Sequence, residues 1–269
     1  MIEDKDIELL LNDVLELYGY DFSLYTKASL TRRINRLYSL DKFHSFDHFR
    51  KKISSDKDYF KRFIEEITVN VTEMFRDPLF YKTIREEILP QLGTKPFIRI
   101  WHAGCSTGEE VYSMTILLHE SNLLRKSLIY ATDINPEVLE KAKSGIFPLG
   151  QLRQYSENYI LSGGRQDFSS YYSANYGSVK FNDFLNEKVI FSTHNLVSDG
   201  SFNEFHLIVC RNVFIYFDKD LQQRVFSLFD SSLEKLGYLA LGSKETLKFS
   251  TIFPKYKQIG KERIWRKIS

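Results

Sequence analysis

The sequence has almost no net charge: 37 Lys and Arg against 35 Asp and Glu leave +2 over 269 residues. That balance excludes a general affinity for nucleic acid and confines any basic function to a local patch. No apolar run approaches the roughly 18 residues that a membrane helix needs. The start, Met1-Ile2-Glu3-Asp4-Lys5-Asp6, is too acidic for a secretory signal. Only two cysteines occur, Cys105 and Cys210, both at predicted strand ends. They are expected to be reduced and unpaired, in a cytoplasmic protein. Two glycine signatures are missing as well. Neither a G-x-G-x-x-G dinucleotide frame nor a G-x-x-x-x-G-K-[ST] phosphate loop is present, which argues against an NAD-dependent oxidoreductase. What is present is an ordinary globular composition, 43% hydrophobic and 27% charged, with a high aromatic share of 15% that promises a substantial core.

The most informative stretch is Ile98-Arg99-Ile100-Trp101-His102-Ala103-Gly104-Cys105-Ser106-Thr107-Gly108-Glu109-Glu110. A short strand runs into a glycine-bearing turn and then a helix, which is how an open α/β sheet builds a nucleotide-cofactor site. Gly104 and Gly108 are expected to let the backbone turn sharply and approach a ligand where a Cβ would collide. A second strand, Leu128–Thr132, ends in Asp133, placed to accept hydrogen bonds from the hydroxyls of an adenosine ribose. Glu109 and Glu110 would repel a phosphate and suit a cationic ligand such as the ammonium and sulfonium of S-adenosylmethionine. Alternatively they only favour a helix N-terminus, as acids there do.

The first part of the chain reads as helices. Ile7, Leu10, Leu11, Val14 and Leu17 or Tyr18 recur at helical spacing up to Gly19. Ser29 is expected to cap a second helix with an apolar stripe of Leu30, Ile34 and Leu37. Its other faces carry Lys27, Arg32, Arg33 and Arg36, which on an arbitrary helix make a solvated face. Further helices are expected around Phe46–Ile53 and Asp58–Thr68, then a polar connection from Asn70 to Pro78 and a linking helix, Leu79 to Leu92. The boundary between residues 1–92 and 93–269 is placed at Gly93-Thr94-Lys95-Pro96. Strand and helix then alternate as a largely parallel sheet requires. Helices are expected at Glu109–Glu120 and Pro136–Ser144, the latter capped by Asn135. Residues 148–188, rich in Tyr, Ser, Asn and Gly, read as an inserted subdomain, helical first and β later, of a kind that often contacts a partner. Strands resume at Lys188–Ser192 and Phe205–Val209. Helix Lys219–Lys235 should end at Leu236-Gly237, and Tyr238–Gly242 and Arg263–Lys267 should form a closing antiparallel edge pair.

Four segments carry a family resemblance: Asn70-Val71-Thr72-Glu73-Met74-Phe75-Arg76-Asp77, Ala103 to Glu110, Ala131-Thr132-Asp133-Ile134, and Cys210-Arg211-Asn212-Val213-Phe214-Ile215-Tyr216-Phe217. Asn195-Leu196 and Gly242-Ser243-Lys244-Glu245 match two lesser motifs in the right order. Over nearly its whole length the chain resembles the chemotaxis receptor glutamate O-methyltransferases, the CheR family. Its polar insert, with Gly163-Gly164-Arg165 and a Tyr-rich run to Tyr176, is more similar to members outside the main chemotaxis pathway. The resemblance implies an α/β fold: a Rossmann-like S-adenosylmethionine-dependent methyltransferase domain with an N-terminal all-helical domain and a small inserted subdomain. It implies S-adenosylmethionine as methyl donor, S-adenosylhomocysteine as product, no metal, and a glutamate on a helical chemoreceptor-like signalling protein as acceptor. Carried over by position, the cofactor contacts fall on Asn70, Thr72, Arg76, Gly104, Glu110, Asp133, Asn195, Leu196, Arg211 and Asn212. Arg76 and Tyr216 flank the transferred methyl group and are the catalytic candidates. Arg32, Arg33 and Arg36 become candidates for docking the acidic acceptor.

The chemistry agrees with that list. A glutamate carboxylate, with a pKa near about 4.3, is already ionised at neutral pH and needs no general base. The protein has only to hold it, and Arg76 suits that task through a charge-assisted bond, with Tyr216 orienting it. The competing readings are a non-catalytic cofactor-binding signalling module and a small-molecule methyltransferase with an enclosed acceptor pocket. A monomer without membrane insertion is expected.

Overall fold

Helical periodicity in the first seventy residues becomes four amphipathic helices in the computed structural model, which describes residues 2–68 and 71–269. They are α1 (Asp4–Tyr18), α2 (Lys27–Leu40), α3 (Phe46–Ser55) and α4 (Lys57–Ile67). Acids at Asp4 and Asp6 favour the start of α1, and Gly19 ends it at φ +75°, its N–H bonding Leu15 O. The Ser45 hydroxyl caps α3 at the His48 N–H, and the Asp56 carboxylate caps α4 at the N–H groups of Asp58 and Tyr59. The expected stripes are buried: Ile7, Leu10 and Val14 from α1 meet Leu30, Ile34 and Leu37 from α2, with Phe49, Ile53, Phe63 and Ile64. Of the alternatives at the end of α1, Tyr18 packs inward, stacked on Phe60 and donating to Ile53 O at 2.9 Å. Leu17 stays exposed. Ser29 does not cap α2, which begins earlier, at Lys27, with Thr26 in the extended capping position.

A later segment, Tyr216–Val225, belongs by its contacts to this helical unit. Thr26 N donates to Tyr216 O at 2.9 Å, Asp218 N to Leu24 O at 3.0 Å, and the Tyr25 and Phe217 rings meet edge-on with centroids 5.2 Å apart.

The second unit comprises Val71–Ile215 and Phe226–Ser269. The division therefore falls at residue 70, earlier than Gly93, where turn chemistry placed it. The reason is packing: the linking helix buries Phe80, Tyr81, Ile84, Ile88 and Leu89 in the same core as the sheet. That helix comprises α5 (Pro78–Thr83), a π-helical turn (Ile84–Ile88) and α6 (Leu89–Gly93). Then follow β1 (Ile98–Ala103), α7 (Glu109–Glu120), β2 (Ser127–Asp133), α8 (Pro136–Ser144), β3 (Ile146–Pro148), α9 (Leu152–Leu161), β4 (Tyr172–Asn175) and β5 (Ser178–Phe181). The chain continues through β6 (Val189–Thr193), β7 (Phe205–Cys210), α10 (Lys219–Ser232), β8 (Leu233–Leu241), β9 (Tyr256–Ile259) and β10 (Ile264–Lys267).

The main sheet has the order β6-β2-β1-β7-β8-β10-β9, while β3-β5-β4 form a separate antiparallel sheet. β6, β2, β1, β7 and β8 are parallel; β8–β10 and β10–β9 are antiparallel. The order reverses between β1 and β7, and the crevice outside their carboxyl ends is the switch point where open α/β sheets bind ligands. In the second half the C-cap expected at Leu236-Gly237 is not one. The helix stops at Ser232, and Leu233–Gly237 already belong to β8, with Leu236 at φ +68°. Leu233 pairs with Phe205 and is buried, so tertiary pairing overrides the local turn signal. Strand β9 went unread in the sequence; it, not the β8–β10 pair, forms the sheet edge.

The inserted segment shares the core of its unit and also converges on one buried acid. The Glu120 carboxylate, at the end of α7, pairs with Arg85 of the π turn at 2.6 Å. It also accepts from Tyr171 OH at 3.0 Å, from Arg165 N at 3.0 Å and from Tyr159 OH. Burial opposes its ionisation, but these donors and Arg85 outweigh it and hold its pKa below the usual carboxylate range.

Candidate functional site

Register sets the site. Ala103 lies opposite Thr132 across β1–β2, so the turn after β1 meets the end of β2. Gly104 N and Cys105 N both donate to Thr132 O, at 2.8 and 2.9 Å. Ser106 N donates to Asp133 Oδ2 at 2.9 Å and Asn135 N to Oδ1 at 3.0 Å. Those bonds tether a nearly buried carboxylate; burial raises its pKa and the backbone donors counter part of that rise. Even with Ile134 N–H as a further donor, the carboxylate keeps acceptor capacity. The Ser106 hydroxyl beside it is buried without a partner among the described residues. A carboxylate with spare acceptor capacity and an unpaired hydroxyl suit a vicinal diol, so the residues present fit an adenosine ribose. His194 N donates to Asp133 O at 3.1 Å, which brings the turn after β6 to the same place. There Asn195 Oδ1 accepts from Val197 N at 2.9 Å, Asn195 N donates to Asp199 at 2.8 Å, and Leu196 is buried.

The two glycines of the turn make it sharp. Both are left-handed, at φ +76° and +94°. A Cβ on Gly104 would lie 2.6 Å from Val213 Cγ2, and one on Gly108 2.8 Å from Ala142 Cβ. Within the protein, their close approaches are to the loop after β7 and to α8.

A second cluster surrounds Arg211, which follows β7. Its guanidinium is buried, donating to Glu110 Oε2 at 2.8 Å, Asp77 Oδ2 at 2.6 Å and Arg76 O at 3.2 Å, and it lies 4.1 Å from the centre of the Phe80 ring. Burial opposes ionisation of Glu110, yet Arg211 and His102, whose Nδ1 is 3.3 Å away, hold its pKa below the carboxylate range. Glu109 differs: it is buried, bonded by Thr107 Oγ1 at 2.6 Å, and burial raises its pKa. One acid of the pair is therefore a charged member of an ion cluster, and the other packs under the turn.

The Arg76 loop is braced from Met74 to Asp77. Phe75 and Asp77 on either side are left-handed non-glycines, at φ +53° and +58°, strain that persists only where surroundings over-determine it. Ser113 Oγ accepts from Phe75 N at 2.9 Å, Asn158 Nδ2 of the insert donates to Met74 O at 3.0 Å, and Arg211 holds Arg76 O and Asp77. The Arg76 side chain is half-buried and donates to Val71 O at 3.3 Å, with no ion pair among the described residues. Thr72 is half-buried in the preceding connection; Asn70 lies outside the described residues.

Asn212 is also left-handed, at φ +61°. Its N–H is bonded by Glu245 Oε2 at 3.0 Å, and the same oxygen accepts from Gly242 N at 2.7 Å. A Cβ on Gly242 would sit 2.8 Å from Asn212 N, so only glycine permits this approach. Burial raises the Glu245 pKa. Glu245, Asp77, His102 and Ser106 are site residues that sequence reasoning did not single out. Asp77 stands before Pro78 where a helix cap belongs, yet it makes no cap bond and spends its carboxylate on Arg211. Tyr216, the second catalytic candidate, belongs to the helical unit. So do the basic residues of α2, which are not equivalent: Arg32 is exposed, Arg36 pairs with Glu66, and Arg33 is half-buried.

Comparison with known proteins decides the family. Residues 5–68 match the CheR methyltransferase all-alpha domain, and residues 70–261 the CheR methyltransferase SAM binding domain. This chain belongs to the CheR methyltransferase family. It is 45% identical over 267 residues to the protein named "Putative methyltransferase Cher3" of Pseudomonas putida, covering 98% of this chain and 97% of that one. It is 29% identical over 251 residues to the chemotaxis protein methyltransferase of Listeria monocytogenes, covering 91% of each. To that of Borreliella burgdorferi it is 29% identical over 265 residues, covering 92% of this chain and 90% of that one. As a CheR-family member it is an S-adenosylmethionine-dependent methyltransferase, and the Rossmann-like and all-helical parts read from the sequence are those of the family. Among the described residues no group of three or more His, Cys, Asp or Glu is placed to hold a metal, and no helix is long and apolar enough to cross a membrane.

Proposed function

We propose that this CheR-family protein esterifies glutamate side chains on a helical, chemoreceptor-like signalling protein, acting as a cytoplasmic monomer. One observation carries the reading: Arg76 is held by a braced loop while its guanidinium forms no ion pair among the described residues. When bound, S-adenosylmethionine supplies an electrophilic methyl group on a sulfonium. Asp133 and Ser106 would accept from its ribose, with the turns at Gly104, Asn195-Leu196 and Asn212 around it. Arg211, Glu110 and Asp77 together carry one net negative charge, which suits a cationic ligand. Arg76 would grip the acceptor carboxylate through its free N–H groups and fix an oxygen for attack. Tyr216 remains the second catalytic candidate, by resemblance to the family. No proton has to move, because the carboxylate arrives ionised.

The test is transfer of label from methyl-labelled S-adenosylmethionine to a purified cytoplasmic fragment of a chemoreceptor. Label released as methanol by mild base identifies glutamate esters. Base-stable label, or binding of the cofactor without transfer, would refute the assignment of a carboxylate acceptor.

A further inference from the structure

Arg33 differs from its neighbours on α2 in everything but charge. Arg32 is exposed and makes no ion pair among the described residues, and Arg36 reaches out to Glu66 with most of its side chain in solvent. Arg33 turns inward. Its Nη1 donates to Glu66 O at 3.1 Å, near the end of α4, and its Nε is buried. Its guanidinium carbon lies 5.9 Å from the centre of the Tyr216 ring, within the range of a cation–π contact. The main chain agrees: Thr26 N, at the start of α2, donates to Tyr216 O at 2.9 Å, and Asp218 N returns a bond to Leu24 O at 3.0 Å. Tyr216 is thus held at its carbonyl by the cap of α2 and at its ring by a residue two turns along the same helix.

We infer that Arg33 is a positioning residue for Tyr216 rather than an acceptor-docking residue. This rests on the methyl-transfer reading above for the role of Tyr216, though not for the contact itself. A guanidinium fixed at one end by a main-chain carbonyl is a rigid platform, and an aromatic ring over it loses freedom to swing. Its work is to keep the phenol where an acceptor carboxylate must be oriented, so its loss should appear in turnover and not in acceptor binding. The docking face of α2 is then Arg32 and Arg36 alone. Because one helix carries both that face and the support of Tyr216, an acceptor that shifts α2 would act directly on the catalytic side chain.

Two measurements on the full chain decide this. With a purified chemoreceptor cytoplasmic fragment as acceptor, Arg33→Gln should lower kcat about tenfold while the acceptor KM changes less than about twofold. S-adenosylhomocysteine affinity should hold at the wild-type value. A raised acceptor KM with kcat retained would overturn the inference and return Arg33 to the docking surface. The second measurement needs no acceptor: thermal unfolding of Arg33→Gln, Tyr216→Leu and the double variant. Coupled residues give a double variant that melts close to the less stable single one, whereas shifts that simply add would show the two to be independent. If the wild type methylates nothing, the proposed function fails, and the unfolding cycle still decides the Arg33–Tyr216 coupling.

Discussion

Asp133 is the residue on which the proposed cofactor site can be tested most directly. Two hydrogen bonds to its charged carboxylate, at about 1.5–3 kcal/mol each, amount to roughly a hundredfold or more in affinity. Calorimetric titration with S-adenosylhomocysteine should therefore show at least that loss for Asp133→Ala, with thermal unfolding little changed. Burial raises the Asp133 pKa from its ordinary value, so the folded protein takes up this proton more readily than the unfolded chain. Its ionised form is a cost to stability at neutral pH, recovered as pH falls through the folded pKa. Cofactor affinity runs the opposite way, falling over the same window above the ordinary aspartate range as the acceptor lone pairs are lost. Titrations at stepped pH should show this acid limb, and Asp133→Asn should flatten it. Glu110 has the reverse sign. Its folded pKa is depressed, so its stabilisation is present above the ordinary glutamate value and disappears as pH falls through the lower folded one.

At the scale of elements, one attachment of the insert rests on a buried ion pair. Arg85, Tyr171 and Arg165 all converge on Glu120, whose side chain is fully buried beside a buried guanidinium. Breaking such a pair from one side leaves an uncompensated buried charge and costs about 3–5 kcal/mol. Glu120→Ala is expected to lower the unfolding free energy by that amount in urea titration, and limited proteolysis should then cut first between Leu161 and Tyr172. A loss below about 1 kcal/mol would show that the insert is held elsewhere. Gly108 presents a steric version of the same dependence. Alanine there would carry φ +94° and press on Ala142, so Gly108→Ala should destabilise by about 1–3 kcal/mol in the same assay. The elements themselves were legible to different degrees. Helices Glu109–Glu120 and Pro136–Ser144 were read to the residue, because their starts carry glycine, proline and an Asn135 cap. The end of α10 was not: Leu236-Gly237 has the local chemistry of a helix stop, and only pairing with β7 makes it strand.

For the molecule as a whole, the proposed function asks a chain of net charge +2 to recognise an acidic acceptor. Such attraction would come from a local face, and the exposed members of α2, Arg32 and Arg36, are the proposed one. Arg32→Glu with Arg36→Glu should raise the acceptor KM, steepen no salt dependence, and leave S-adenosylhomocysteine affinity intact. An equal loss of cofactor affinity would mean that the substitutions disturb the fold rather than docking. The sequence by itself determined most of the succession of elements, the helical stripes, the strand–turn–helix around Gly104 and Gly108, and the acid at the end of β2. All of these are local: burial period, turn chemistry and caps are written within a few residues of where they act. Tertiary structure decided which charges meet. Asp77 with Arg211, Glu245 with Asn212 and Arg33 with Tyr216 join residues far apart in the chain. A carboxylate that reads as a helix cap, or an arginine that reads as a solvated face, declares its task only when strand order and register bring its partner within bonding distance.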